Sequence, residues 1–351
     1  MKKEIKNAFD MWIKEDAGDF SGVLSARGSE GVFVESAYGF RNIAEELTNN
    51  TDTGFAIASG TKLFTGLAVC KLIDNGKLSL DTLLCDVLQY DLGRIDKTIT
   101  IFHLLTHTSG AGDYIDEEAD DEEEDQLLNL YNTYPVQLWI RLEYYLQMIT
   151  PLAPKFTPGE RFGYSNSGYV LLGLVVEAVS GLSFQQFVHD EIIKPCGLMY
   201  TGFYRMDSLH ANTALGYIKD DDTDEWRTNI YSLPLLGGSD GGIYSCAADF
   251  DRLWRAIFAC EILSPDMTDC FLKSHVIIEV DEEDDSIESY GLGVYKIKVK
   301  DKEMYFVIGA DSGVGFYSGY YPATKTAVSS FSNTGFHGAS LLFDDLLELL
   351  G

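Results

Sequence analysis

The sequence predicts an α+β protein: a sheet assembled from strands near both ends of the chain, flanked by helices, with a mostly helical lobe inserted between. Three observations predict it. Two alternating strand patterns fill residues 21–39. Helix-like apolar spacing dominates from Gly60 to about Gly202. Alternating strands return over the last hundred residues. Strands grouped at the ends and helices grouped in the middle give layers of the α+β type. The pattern alone suggests a mixed sheet. It divides the chain into a sheet lobe, 1–58 with 236–351, and a helical lobe, 59–235.

Residues 4–16 have helical spacing. SGVLSAR (21–27) and GVFVESAYG (31–39), separated by Gly28–Glu30, read as a hairpin. Gly60 to Asp74 is a helix, stopped by Asn75–Gly76. ITIFHLLTHTSG (98–110) has a helical middle and a glycine end. Gln126–Thr150, Tyr169–Ser180 and Phe184–Ile193 are further helix candidates, the second closed by Gly181 and the third ended by Pro195. Ser245–Cys260 reads as a helix capped by Ser245. SYGLGVYKIKV, EMYFVIGAD, GFYSGYYP and TKTAVSSFSN read as strands, and a last helix spans roughly 338–350.

The 351 residues are 46% hydrophobic and 23% charged, enough apolar material for a large core. The net charge is −29. That excludes nucleic acid as a partner, which needs clustered cations, and disfavours anionic membrane surfaces. Much of the charge sits between Asp116 and Asp125, where solubility is its plainest use. No apolar run approaches a membrane span, and no secretory leader is legible at the N-terminus. Six cysteines without CxxC spacing read as free thiols, which points to a reducing, cytoplasmic location and away from zinc.

Ser59-Gly60-Thr61-Lys62 carries the first chemical signal. Residues three apart share a helix face, so the Lys62 ammonium falls beside the Ser59 hydroxyl. A serine hydroxyl needs a neighbour to take its proton, and a desolvated lysine can do so. Such a spacing arises by chance about once in a chain of this length, and here it occurs once. Tyr164-Ser165-Asn166 is the second signal and the single Tyr-x-Asn of the chain. A phenolate favoured by the lysine charge would serve as general base, while Asn166 would hold the lysine and a substrate amide. The plain alternative is a helix-capping turn.

FAIASGTKLFTG, IDNGKLSLDT, ITIFHLLTHTSG, PGERFGYSNSGYVLLGLVVEAVSG and PCGLMYTGF follow one another in this order. Each resembles a signature segment of the class C β-lactamase-like serine hydrolases, which include β-lactamases, penicillin-binding D,D-carboxypeptidases, D-aminopeptidases and esterases. The resemblance is dense over 54–205 and looser to about 335. It implies the β-lactamase/transpeptidase-like fold, an antiparallel sheet flanked by helices with the active site between the lobes. It implies an acyl-enzyme on Ser59, with Lys62 and Tyr164 shuttling the proton, Asn166 orienting, and the Ser59 N–H forming half of an oxyanion hole. The expected substrate is a small or peptide-like ester or amide, and no cofactor or metal is implied. His107 resembles a triad histidine, but in this family the proton chemistry belongs to Lys and Tyr. His103 and His107, four apart, lack a third zinc ligand. Tyr114, Asp113 and the loop Gly237–Gly242 are expected as cleft walls.

The family's third motif, Lys-Thr-Gly or His-x-Gly, is absent. The local match places Asp311-Ser312-Gly313 there, ahead of Gly315-Phe316; His337 and Gly338 come too late. The family's cation helps to bind a substrate carboxylate, which Asp311 would repel. Asp311 is expected to pair with Lys62 or a substrate ammonium, and the backbone near Ser312 or Gly313 to supply the second oxyanion donor. Esterase, amidase or D-aminopeptidase activity follows more readily than strong β-lactamase activity. The competing reading is a non-catalytic relative that keeps the cleft for ligand binding or assembly.

Overall fold

The computed structural model describes residues 2–15, 17–117, 130, 133–220, 222–337, 339–340, 342–343 and 346. Eight strands form the main sheet. They are β1 (Gly22–Gly28), β2 (Gly31–Tyr38), β3 (Val276–Asp281), β4 (Ser286–Tyr290), β5 (Tyr295–Val299), β6 (Lys302–Asp311), β7 (Val314–Tyr321) and β8 (Thr326–Ser332). Their order is β2-β1-β8-β7-β6-β5-β4-β3, and every pair is antiparallel. The sheet is therefore not mixed. The fold is β-lactamase/transpeptidase-like α+β, as the resemblance implied. Leu24 pairs with Ser330, which joins the N-terminal hairpin to the last strand.

Period-two alternation sends side chains into two cores. On one face Leu24, Ala26 and Val328 pack with Ile5, Phe9 and Trp12 of helix α1 (Lys2–Glu15) and with Leu342, Phe343 and Leu346. On the other, Val23, Phe316 and Phe331 pack against Phe250, on helix α4 (Ala247–Phe258), and meet the helical lobe. Trp254 of α4 donates its indole N–H to Ser318 Oγ of β7 at 2.9 Å. At the centre lies α2 (Thr61–Asp74), buried from Thr61 to Cys70 and packed on α3 (Asn166–Ser180). All six cysteines are free.

Several elements differ from the sequence reading. Gln126–Thr150 is not one helix. From Pro135 onward it forms the short helical turns Val136–Leu138, Leu142–Tyr145 and Leu146–Ile149; most of residues 126–132 lie outside the described residues. Of their side chains Trp139 and Tyr145 line the cleft, while Val136, Leu142, Met148 and Ile149 are buried in the core. SYGLGVYKIKV is two strands, because residues 291–294 turn back between β4 and β5. The helix at Phe184 passes through the wider turn His189–Ile193 and continues past Pro195 to Cys196, since that proline opens a new helical segment. Ser245 does not cap α4. It lies in a short strand and its hydroxyl bonds Thr201 Oγ1 at 2.9 Å. Most of the acidic stretch 116–125 and of the last helix lies outside the described residues.

Candidate active site

Ser59 sits in a 3₁₀ turn, Ala58–Gly60, that feeds directly into α2. Ala58 has a φ of +42°, left-handed backbone that costs a residue with a Cβ about 1–3 kcal/mol. The strain lies one residue before the hydroxyl. Strand β6 closes over the turn. A Cβ on Gly309 would fall 2.2 Å from the Ile57 carbonyl oxygen and 3.0 Å from the Ser59 nitrogen, so glycine is required for this approach.

Lys62 is 3% exposed, and its Nζ has three partners: Ser59 Oγ at 2.9 Å, Asn166 Oδ1 at 2.8 Å and the Asp240 carbonyl oxygen at 2.8 Å. Burial lowers its proton affinity; the charges of Asp240, Glu117, Asp113 and Asp311 oppose that shift. Asn166 starts α3, where Ser165 Oγ caps the Gly168 N–H. The helix therefore begins three residues earlier than its apolar pattern suggests. The buried Asp113 carboxylate accepts the Asn166 N–H at 2.7 Å and the Ser167 N–H at 2.8 Å, fixing Asn166 in place. Desolvation lifts the Asp113 carboxyl to about 7, against the pull of those two bonds.

Tyr164 brings its ring under Lys62, with Nζ 4.8 Å from the ring centroid, and its phenol bonds Ser59. Burial pushes that phenol well above its usual range, and Glu117 and Tyr295 push it further. The expected phenolate is thus disfavoured. Desolvation outweighs the lysine charge, and Tyr164 rests protonated. His107 lies behind it with ring centroids 4.6 Å apart. Burial and the Lys62 charge hold the imidazole neutral. Among the described residues its Nε2 has no hydrogen-bond partner.

Beside Ser59 opens a cleft of about 830 Å³, counting its mouth. Tyr114, Trp139, Tyr145, Tyr204 and Tyr244 supply its aromatic walls, and Glu117, Asp240 and Asp311 its charge. Tyr114 is the wall the sequence suggested; its phenol bonds Asp240 Oδ2 closely. Asp240, 7% exposed, lies in the glycine-rich loop Gly237–Gly242 expected as a cleft wall. Its carbonyl bond to Lys62 needs no particular side chain, so composition could not single it out.

Of the third segment only Asp311, with Ala310, reaches the cleft. Ser312 and Gly313, expected to supply an oxyanion donor, do not line it. They form the two-residue turn between β6 and β7. Gly313 has a φ of +68° and lies against the Tyr217 backbone, and the Ser312 carbonyl accepts from Asn229 Nδ2 at 2.8 Å. Among the described residues no group of His, Cys, Asp and Glu side chains could hold a metal ion.

Fold and site together define a protein of the β-lactamase/transpeptidase-like serine hydrolase class. The chain belongs to the beta-lactamase family, whose model matches residues 12–350. The solved penicillin binding protein from Bacillus halodurans is 39% identical, with a TM-score of 0.88 over 98% of this chain and 99% of that one. Protein flp of Staphylococcus aureus (strain MW2) is 32% identical over 189 residues, which are 53% of this chain and 35% of flp. The chain thus spans about a third of that relative's length. D-amino acid amidase from Ochrobactrum anthropi SV3 is 18% identical with a TM-score of 0.76 over 99% of this chain and 98% of that one, a likeness of fold alone.

Proposed function

We propose that this protein is a serine hydrolase that cleaves an ester or amide through an acyl-enzyme on Ser59. One observation carries the reading: the three partners of Lys62 Nζ. Two are carbonyl oxygens, which can only accept. A neutral amine has two N–H groups and one lone pair. In the neutral form, with both N–H groups donated to Asn166 and Asp240, the lone pair is left for the Ser59 hydroxyl, whose Oγ lies 2.9 Å from Nζ. Burial favours the neutral amine.

Ser59 Oγ then adds to the substrate carbonyl as its proton passes to Lys62. The Ser59 N–H would meet the developing oxyanion, with the second donor drawn from the end of β6, where Ala310 and Asp311 line the cleft. Lys62, through the protonated Tyr164 phenol, returns the proton to the leaving alcohol or amine. Water, activated by the same pair, releases the acid and restores Ser59.

A penicillin carboxylate would meet Asp311 where relatives offer a cation, so β-lactam hydrolysis is expected to be weak. The same departure supports the second reading, a binding or assembly protein with an idle nucleophile. A fluorophosphonate probe and p-nitrophenyl acetate separate the two. Wild type should be labelled and turn over ester, and Ser59→Ala should do neither. Absence of both in wild type would leave the binding reading. The six free cysteines support a reducing, cytoplasmic location.

A further inference from the structure

We infer that the cleft is built for an acyl group carrying an ammonium close to the scissile carbonyl, an α-amino acyl ester or amide, and that it rejects acyl groups carrying a carboxylate. This rests on the reading of Ser59 as nucleophile and deepens it.

The charges in the cleft are one-signed. Glu117, Asp240 and Asp311 line it, and among the described residues that line it there is no Lys, Arg or His. The nearest basic side chain is Lys62, a neutral amine on the reading above, which lies behind Ser59 with its Nζ already held by Ser59, Asn166 and Asp240. It is therefore not offered to a substrate anion. A ligand carboxylate would be buried against like charges, whereas an ammonium would meet three opposite ones.

Asp240 is fixed for such a task. Tyr114 holds one carboxylate oxygen, and the Asp240 main chain is tied to Lys62, so the carboxyl group cannot swing away. The same Nζ that touches the Asp240 carbonyl at 2.8 Å touches Ser59 Oγ at 2.9 Å. Asp240 and Ser59 also line the same cleft, so an ammonium on the Asp240 carboxylate and a carbonyl on Ser59 would share it, which favours an α-amino group over a distant one. The walls fit the rest of the ligand. Tyr114, Trp139 and Tyr145 pack edge to face, with centroids 5.3–6.3 Å apart. Such rings attract a cation and cover an apolar side chain together.

Occupancy by an ammonium would also act on the proton relay. The carboxylates that raise the proton affinity of Lys62 are Asp240, Glu117, Asp113 and Asp311. A bound cation offsets the three that line the cleft and frees the Lys62 lone pair. The ligand remains an ammonium throughout, and the proton that moves is the Ser59 hydroxyl proton.

The test uses the full chain and three competitors of p-nitrophenyl acetate hydrolysis, in both hands: leucinamide, N-acetylleucinamide and N-succinylleucinamide. Leucinamide is expected to inhibit at least tenfold more tightly than the N-acetyl compound, and the succinyl compound to be weakest. Glu117→Gln and Asp240→Asn should each narrow that ratio severalfold, and added salt should narrow it in wild type. Where leucinamide is also a substrate, its kcat should rise at lower pH than the turnover of the neutral ester. If N-acetylleucinamide binds as well as leucinamide while p-nitrophenyl acetate is still hydrolysed, the inference is overturned and the serine hydrolase stands. If the ester is not hydrolysed and Ser59 takes no fluorophosphonate, both fall.

Discussion

His107 grips the chain on both sides of Tyr164. Its carbonyl accepts the Gly163 N–H at 2.8 Å, and its ring Nδ1 accepts the Ser165 N–H at 3.0 Å. The backbone at His107 is itself left-handed, with a φ of +56°. Among the described residues Nε2 has no hydrogen-bond partner. The ring is thus a neutral peg whose one bonded nitrogen locates the phenol. His107→Phe keeps an aromatic ring but strands the Ser165 N–H, at a cost of about 1–3 kcal/mol. The expected result is a lower urea midpoint and a kcat at least tenfold lower with KM little changed. Unaltered kcat would remove His107 from the placement of Tyr164.

Replacing Lys62 by Ala should slow acylation by about 10²–10⁴, the usual worth of a positioned base. Lys62→Arg should fail as badly, because a guanidinium stays charged and has no lone pair to offer. The burst of p-nitrophenol in a stopped-flow trace measures this. Activity in wild type should be lost as pH falls, through a midpoint below the ordinary lysine range, since burial lowers the Lys62 proton affinity. A rate insensitive to Lys62→Arg would refute the role.

Asp113 makes a prediction about stability. Its carboxyl titrates at about 7 in the fold, against an ordinary 3.8. The folded state holds a proton that the unfolded chain gives up. The resulting stabilisation is complete below the lower value and is lost as pH rises through the upper one. Asp113 alone should tilt stability downward by as much as about 1.4 kcal/mol per pH unit within that window. Urea midpoints between pH 4.5 and 7 should decline more steeply in wild type than in Asp113→Asn. Parallel profiles would contradict the burial argument.

Gly309→Val tests the approach of β6 to the nucleophile turn. The added side chain has no room beside the Ile57 carbonyl, so strand and turn must part. A loss of about 1–3 kcal/mol is expected, the usual range for overpacking. Fluorophosphonate labelling should fall more than stability does, because the displaced atoms include the Ser59 nitrogen. Normal labelling in a folded variant would separate this contact from function.

The local pairs of the site were legible in the sequence. Ser59 with Lys62 and Tyr164 with Asn166 lie three and two residues apart, and helix or turn geometry dictates their proximity. The hairpin at 22–38, the edge of α2 and the final strands were legible for the same reason. Asp240 was not, because its link to Lys62 spans 178 residues and runs through a carbonyl that every residue has. Nor was the position of Ser312 and Gly313. A two-residue turn and a strand end differ by one step of register, and each step reverses the side chain. The run after Pro135 misled because its buried residues sit on three short turns instead of one helix, so their spacing imitates a helical period without requiring it.

The pairing of β1 with β8 has a consequence for synthesis on the ribosome. Of the strands of the sheet, the hairpin at Gly22–Tyr38 is made before the others, yet its central partner β8 follows about 300 residues later. Until β8 emerges, β1 presents an open edge and Val23 lacks the later-made Phe250 and Phe331 with which it shares a core. The chain should therefore acquire protease resistance late and in one step, and nascent chains that stop before residue 326 should depend on chaperones.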